Sequence, residues 1–315
     1  MVELGINLAS EAHGPTELVE YADRAEEVGL DFAVISDHYH PWIPKQDSSS
    51  FVWSTIGAIA DRTDDIELGT AVTCPTVRIH PAIIAQAAAT AQVLMDGRFF
   101  LGLGTGEQLN EHILGDHWPP HSVRLEMLEE AVTVIRDLWE GDMVTHHGNH
   151  YTVENAQLFT LPEELPEIVV SALGPETASV VGQFGDGFIT TSPNEEFVER
   201  YEEDGDGPIY GGTKVCWGES DREALETAVE WWPNAFADAS GTELPTPKHY
   251  EEASQSVGED DAKEAIAYGP NSEPYVEQIQ TFVDAGFERV YLHHLGQNQK
   301  GFIEFMEREV LPEFD

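Results

Sequence analysis

The chain has 315 residues, 41% of them hydrophobic, which suits one large α/β domain with a substantial core. Fifty-nine acidic residues face 15 basic ones for a net charge of -44, which excludes nucleic-acid partners, because phosphate recognition needs clustered Lys and Arg. No apolar run approaches the roughly 20 residues that cross a bilayer, and Met1-Val2-Glu3-Leu4 lacks the basic start of a signal peptide.

Cys74 and Cys216 are too few and too far apart for a disulfide framework or a metal spacing, so a reducing cytoplasm is expected. The acids are spread along the chain, and 10% of residues are aromatic, which argues against acidic disorder. The composition reads as a folded protein with an acidic coat. Halophile proteins use such a coat to stay soluble in concentrated salt, where its self-repulsion is screened.

Strand-like and helix-like segments alternate from the first residues. Val2–Leu8 reads as a strand. Pro15–Val28 reads as a helix, with Leu18, Ala22, Ala25 and Val28 on one face. The apolar run Phe32–Ser36 reads as a buried strand, delivering Asp37, His38, Tyr39, His40 and Trp42 to its C-terminal edge, where Pro41 stops regular structure. Buried strands that end in ionisable side chains are where α/β enzymes place their chemistry. A histidine beside a carboxylate can act as a general base, although His38 and His40 could equally serve only as hydrogen-bond partners of loop backbone.

A helix at Val52–Arg62 and a strand at Ile66–Val72 follow, the latter ending in Gly69-Thr70-Ala71-Val72-Thr73-Cys74-Pro75. No motif makes Cys74 a nucleophile, and a small buried thiol is the expectation. After a helix at Ala82–Met95, the strand Phe99–Leu103 runs into Gly102-Leu103-Gly104-Thr105-Gly106-Glu107. Its glycines allow close backbone approach to a ligand, and a following helix start can bind anions. The spacing matches a dinucleotide fingerprint only weakly. Glu107 would project over the mouth of a barrel, or else simply answer a helix dipole.

His112, His117 and His121 do not make a helical ligand face, because Trp118-Pro119-Pro120 intervenes, and no metal is expected. A helix at Arg124–Trp139 and a hairpin-like stretch at Gly141–Asn155 follow, whose His146, His147 and His150 read as solvated. Then come strand Glu167–Ser171, helix Glu176–Phe184, strand Gly187–Thr191 and helix Glu195–Glu203. Strand Ile209–Trp217 leads to helix Arg222–Phe236. Residues 237–261 lack a clear period and read as an insertion or long loop. Helix Glu273–Ala285, strand Arg289–His294 and helix Gly301–Glu309 close the chain. About eight strands alternating with helices, with no interdomain linker, predict one (β/α)8 TIM-barrel domain over residues 1–315.

The chain resembles the deazaflavin (coenzyme F420)-dependent oxidoreductases of the bacterial luciferase-like superfamily. The resemblance rests on Ala9-Ser10-Glu11, Asp37-His38 with Pro41-Trp42, Gly69-Thr70, Gly104 through Glu111, and Gly185-Asp186-Gly187-Phe188. It implies a luciferase-like barrel with insertions, a homodimer, and F420 held at the C-terminal face. Carried over by position, His38 takes the substrate's hydroxyl proton and Glu107 protonates or stabilises the reduced deazaflavin. Trp42 and Glu11 orient the reacting groups. Asp37, Ala71, Val72, Cys74, Thr105, Gly106, Asn110, Leu173, Gly174, Glu176 and Thr177 fall where the family touches its cofactor, and Ala71-Val72 where it places a non-proline cis peptide. His40, Thr191, Asn194 and Trp232 fall on the substrate side.

The chain departs from the sugar-phosphate enzymes of this family at their cationic phosphate cluster, which maps near Asn194, Glu252 and Glu264, with Lys248 or Lys263 as substitutes if the register slips. The expected substrate is therefore a neutral alcohol, a ketone or an unphosphorylated sugar rather than glucose 6-phosphate. An FMN-dependent monooxygenase and a non-catalytic deazaflavin-binding protein are the alternatives.

Overall fold

The computed structural model describes residues 2–237 and 241–314. Strands β1 (Glu3–Leu8), β2 (Phe32–Ile35), β3 (Glu67–Thr70) and β4 (Phe99–Leu103) alternate with helices α1 (Pro15–Glu27), α2 (Val52–Ala60) and α3 (Pro81–Leu94). The short helix α4 (Gln108–Glu111) and the long α5 (His121–Trp139) precede a two-stranded hairpin, β5 (Val144–His147) and β6 (Thr152–Ala156). Alternation resumes with β7 (Ile168–Ser171), α6 (Pro175–Val181), β8 (Gly187–Thr190), α7 (Glu195–Glu202), β9 (Ile209–Cys216) and α8 (Asp221–Trp231). The remaining elements are α9 (Pro247–Ala253), α10 (Glu259–Ala265), β10 (Ala267–Tyr268), α11 (Glu273–Asp284), β11 (Arg289–His294) and α12 (Gln299–Phe305).

Eight strands pair in parallel, in the order β1-β2-β3-β4-β7-β8-β9-β11, and β11 returns to β1, so the sheet closes into a (β/α)8 barrel. Strands buried on both faces must be apolar on both faces, as Phe32–Ile35 and Phe99–Leu103 are. Inside, the Phe32, Phe100 and Tyr210 rings pack at centroid distances of 5.6 and 4.8 Å. Val34, Val169, Ile189 and Tyr291 join the same cluster. The interior is thus a packed core rather than a pore. Gly69 makes room for it, since a Cβ there would lie 2.0 Å from the Phe100 ring.

The barrel wall is incomplete at one place. On one edge of β9, β8 pairs only up to Thr190–Gly211, and the two-residue β10 pairs only from Ala267–Val215 onward. Among the described residues, no strand lies beside Gly212, Thr213 and Lys214 on that edge.

Several elements depart from the sequence reading. The helix expected over Arg222–Phe236 ends at Trp231, and Pro233 starts a separate 3-10 turn, because a proline ring blocks the preceding helical turn. The segment expected to be an unpatterned insertion contains α9 and the start of α10; residues 238–240 of it lie outside the described residues. Its helices were hidden because α9 buries only Tyr250 and α10 only Ala262, too few to make a period. Strand β10 was not expected, and the closing helix begins at Gln299 and widens into a π turn at Met306–Val310. The histidines read as solvated are only partly so. His147 is exposed, but His146 and His150 are largely covered and face Glu130 and Glu126 of α5.

Candidate active site

The C-terminal ends of the strands surround a cavity of about 420 Å³. His38 from the end of β2, Glu107 from the end of β4, Trp42, Glu11, Ala71, Val72, Leu173, Thr191 and Trp232 all line it. Sequence positions from six different strand ends therefore converge, as barrel enzymes require.

Asn110 organises the two candidate proton-transfer residues. Its side-chain oxygen accepts the backbone N–H groups of Tyr39 at 2.9 Å and His40 at 3.1 Å, so its amide nitrogen faces the other way. That nitrogen lies 3.2 Å from His38 Nδ1 and 3.3 Å from Glu107 Oε2. His38 Nδ1 also lies 3.2 Å from the His40 carbonyl. Nδ1 can serve only one of these two partners at a time: when it carries the proton and donates to the carbonyl, Asn110 donates to Glu107 alone and Nε2 keeps a lone pair for a substrate hydroxyl. The Trp42 ring packs at 5.0 Å from the His38 ring and edge-on to Tyr250 at 5.1 Å. Glu11 is buried and accepts a hydrogen bond from Ser36 Oγ. Ser10 ties the same segment down, its hydroxyl donating to the Ser36 carbonyl at 2.7 Å.

Below the rim lies an ion-pair network that sequence reasoning missed. Arg78 donates to Asp37 Oδ1 at 2.9 Å and through Nε to Glu111 at 3.3 Å, and all three side chains are buried. The backbone N–H of Arg78 donates to Glu111 Oε2 at 2.7 Å, and Thr73 Oγ1 to Asp37 Oδ2 at 2.9 Å. Burial alone would lower the Arg78 pKa, but the Asp37 and Glu111 carboxylates outweigh it and hold the guanidinium above its ordinary range. Burial pushes Glu111 upward despite the pull of Arg78. Asp37 is thereby turned away from the cavity, and it anchors the His38 loop to α4.

Other expected contact residues are placed apart from the cavity lining. Cys74 is buried against Thr76 Oγ1 at 2.9 Å, and burial raises its pKa well above the ordinary thiol range, so it stays protonated. Thr105 and Gly106 form the turn after β4. Gly106 has φ +77°, and a Cβ there would lie 2.3 Å from Cys74 Sγ. Gly174, Glu176 and Thr177 open α6, whose first turn has no side-chain cap. His40 donates Nδ1–H to the Leu109 carbonyl at 2.8 Å and stacks on His112 at 5.9 Å. Asn194 caps α7 by accepting the Glu196 N–H at 2.9 Å.

Lys214 of β9 and His293 of β11, which the sequence reading did not single out, also line the cavity. Burial lowers the Lys214 pKa. Burial first, and the Lys214 charge second, push His293 well below the ordinary histidine range, so its ring is neutral. A lone lysine inside an apolar run was the available signal. A second cavity of about 250 Å³ opens where β9 lacks a neighbour, and it shares Thr191, Gly212 and Lys214 with the first.

The lining fits a flat, mostly apolar ring system. Ala71 and Val72, joined by a cis peptide bond, form one wall, with Leu173 and Ile189 nearby. Gly104 leaves the backbone bare, since a Cβ there would lie 2.5 Å from Val72 Cγ2. The buried Thr190 hydroxyl has no partner among the described residues.

The luciferase-like monooxygenase family matches residues 2–289. The F420-dependent glucose-6-phosphate dehydrogenase of Amycolatopsis mediterranei (strain U-32) is 33% identical, over 99% of this chain and 98% of that protein. The enzyme of the same name from Nocardia farcinica (strain IFM 10152) is 34% identical, over 99% and 97%. A solved F420-dependent secondary alcohol dehydrogenase, in complex with an F420-acetone adduct, superposes with a TM-score of 0.91 at 28% identity, over 98% of each chain. The chain belongs to the luciferase-like monooxygenase family and, within it, to the F420-dependent oxidoreductases.

Proposed function

We propose that the protein transfers a hydride between the carbinol carbon of an unphosphorylated alcohol or sugar and coenzyme F420. The observation that carries this reading is the single Asn110 amide lying between His38 and Glu107 on the lip of one cavity. Bound F420 supplies a two-electron acceptor at this site. Ala71, Val72 and Leu173 would hold its ring, and Gly174, Glu176 and Thr177 the parts that extend past α6. A carbinol carbon gives up hydride only if its hydroxyl proton also leaves, and His38 Nε2 is placed to take that proton. Glu107, on the same Asn110 amide nitrogen, would offer a hydrogen-bonding or proton-donating group to a ring that gains electrons. Trp42 and Glu11 orient the substrate and exclude water.

Against a sugar phosphate stand the side chains at its expected anchor points. Asn194 is engaged as a helix cap, Glu252 faces Lys248 at 3.8 Å, and Lys263 faces Asp260 at 3.3 Å. The test is titration with F420 in molar salt, followed by screening alcohols and sugars for loss of the oxidised cofactor's absorbance. His38→Ala should cut turnover by about 10²–10⁴-fold with F420 binding retained. Oxygen consumption with reduced FMN, or F420 binding without turnover of any alcohol, would overturn the reading.

A homodimer and a cytoplasmic location belong to the same proposal. The groove between α2 and α3 is lined by Phe51, Trp53, Ile83 and Leu94 among others, and none of its lining residues is charged. With 59 acidic residues in the chain, an uncharged face is where a second copy meets the least repulsion. Two buried free cysteines suit a reducing compartment. Among the described residues, no helix is long and apolar enough to cross a membrane.

A further inference from the structure

The chain has five lysines. Four of them pair with carboxylates: Lys45 with Glu230, Lys248 with Glu252, Lys263 with Asp260 and Lys300 with Glu20. Lys214 makes no ion pair with any described residue, although acids outnumber bases about four to one. It projects into the cavity that holds His38 and Glu107.

Lys214 also has a matched neighbour. In the β9–β11 register it lies directly beside His293, whose side chain points into the same cavity. Neighbouring strands stand about 4.8 Å apart, so the two side chains share one patch of the cavity floor. His293 Nε2 is buried and has no hydrogen-bond partner among the described residues. Its ring is held upright by the Trp232 indole, edge-on at 4.5 Å. An ammonium and an imidazole N–H side by side match the two oxygens of a carboxylate.

We propose that Lys214 and His293 form a subsite for a substrate carboxylate, so that the alcohol oxidised at His38 is a hydroxycarboxylic acid. This rests on the proposed hydride-transfer function and narrows its substrate class. At this patch one cation beside a neutral imidazole matches a single negative charge, whereas a phosphate dianion would leave one charge uncompensated in a cavity that Glu11 and Glu107 also line. The depressed Lys214 pKa agrees, because an ammonium without a counter-charge is destabilised by burial and regains stability when an anion arrives. The reaction balances as usual for an alcohol: the carbinol C–H leaves as hydride to F420, the hydroxyl proton goes to His38, and the carbon becomes a carbonyl. The carboxylate is unchanged.

The test compares 3-hydroxybutyrate with its neutral isostere 4-methyl-2-pentanol in the wild type and in Lys214→Met and Lys214→Arg variants. The wild type should favour the acid, and Lys214→Met should lower the ratio of the two kcat/KM values by about 30-fold, with most of the preference kept by Lys214→Arg. A ratio unchanged by Lys214→Met, or a wild type that favours the neutral alcohol, would overturn the subsite. Calorimetric titration of the F420-free protein with 3-hydroxybutyrate separates this inference from the parent reading. Binding lost in Lys214→Met supports the subsite even if no alcohol reduces F420. Equal binding in both proteins, or none in the wild type, refutes it.

Discussion

At the scale of single residues, Arg78 decides whether the site holds together. It is the one cation between two buried carboxylates, Asp37 and Glu111. Arg78→Met would leave both acids buried without it, and it should cost about 3–5 kcal/mol in urea unfolding. Nothing local announces Arg78, which sits in a loop and meets its partners only when β2, β3 and α4 are assembled. His38 and Glu107 were legible because each ends an apolar strand within a recognisable run. Lys214 was hidden differently. Strand β9 reads as one apolar stretch, and which residues face inward follows only from barrel closure.

His294 is one of the buried histidines that make stability fall in acid. It is buried against the Phe302 ring, accepts the Trp217 N–H through Nδ1 at 3.2 Å, and burial lowers its pKa to about 3. The unfolded chain binds this proton near pH 6.5 and the folded chain does not. Stability from this group is therefore full above about pH 6.5 and falls as pH drops toward 3. Thermal melts of wild type and His294→Gln across that window should differ most at high pH and converge on acidification. Curves that remain parallel would exclude the assignment.

At the scale of elements, the order of strands and helices was largely legible, because an amphipathic helix such as α1 and a fully apolar strand such as β4 each carry a clear signature. Short elements carried none. The β5–β6 hairpin is held to α5 mainly by one side chain. Glu130 accepts the N–H groups of Asn149 at 3.0 Å, His150 at 3.1 Å and Tyr151 at 2.8 Å. Burial raises its pKa, but these donors, led by Tyr151, and His146 prevail and keep it below the ordinary carboxylate range. The far side is fixed by Tyr151, whose hydroxyl donates to the Pro75 carbonyl at 2.8 Å. Glu130→Ala should cost about 1–3 kcal/mol and free the hairpin first. Hydrogen exchange should show faster amides at residues 149–151 with β1 to β4 unaffected.

At the scale of the whole molecule, a charge of -44 on 315 residues predicts a stability that depends on salt. Self-repulsion among the acids reaches about 10 Å at 0.1 M salt and about 3 Å at 1 M. The melting temperature should therefore climb by about ten degrees between 0.1 and 2 M KCl, and sedimentation should show the proposed self-association strengthening over the same range. A melting temperature indifferent to salt would remove the halophile reading while leaving the barrel and its chemistry untouched.

The uncovered stretch of β9 has a consequence for the order of events in a catalytic cycle. Among the described residues no strand lies beside Gly212, Thr213 and Lys214 on one edge, and a second cavity sits there that shares these residues with the first. Should the two cavities join, a small molecule would reach Lys214 by that flank without passing a bulky partner seated at the top. Initial-velocity and product-inhibition patterns should therefore be those of random addition, with the carbonyl product leaving while the reduced cofactor stays in place. Compulsory ordered release would mean that the side opening is too narrow to be used.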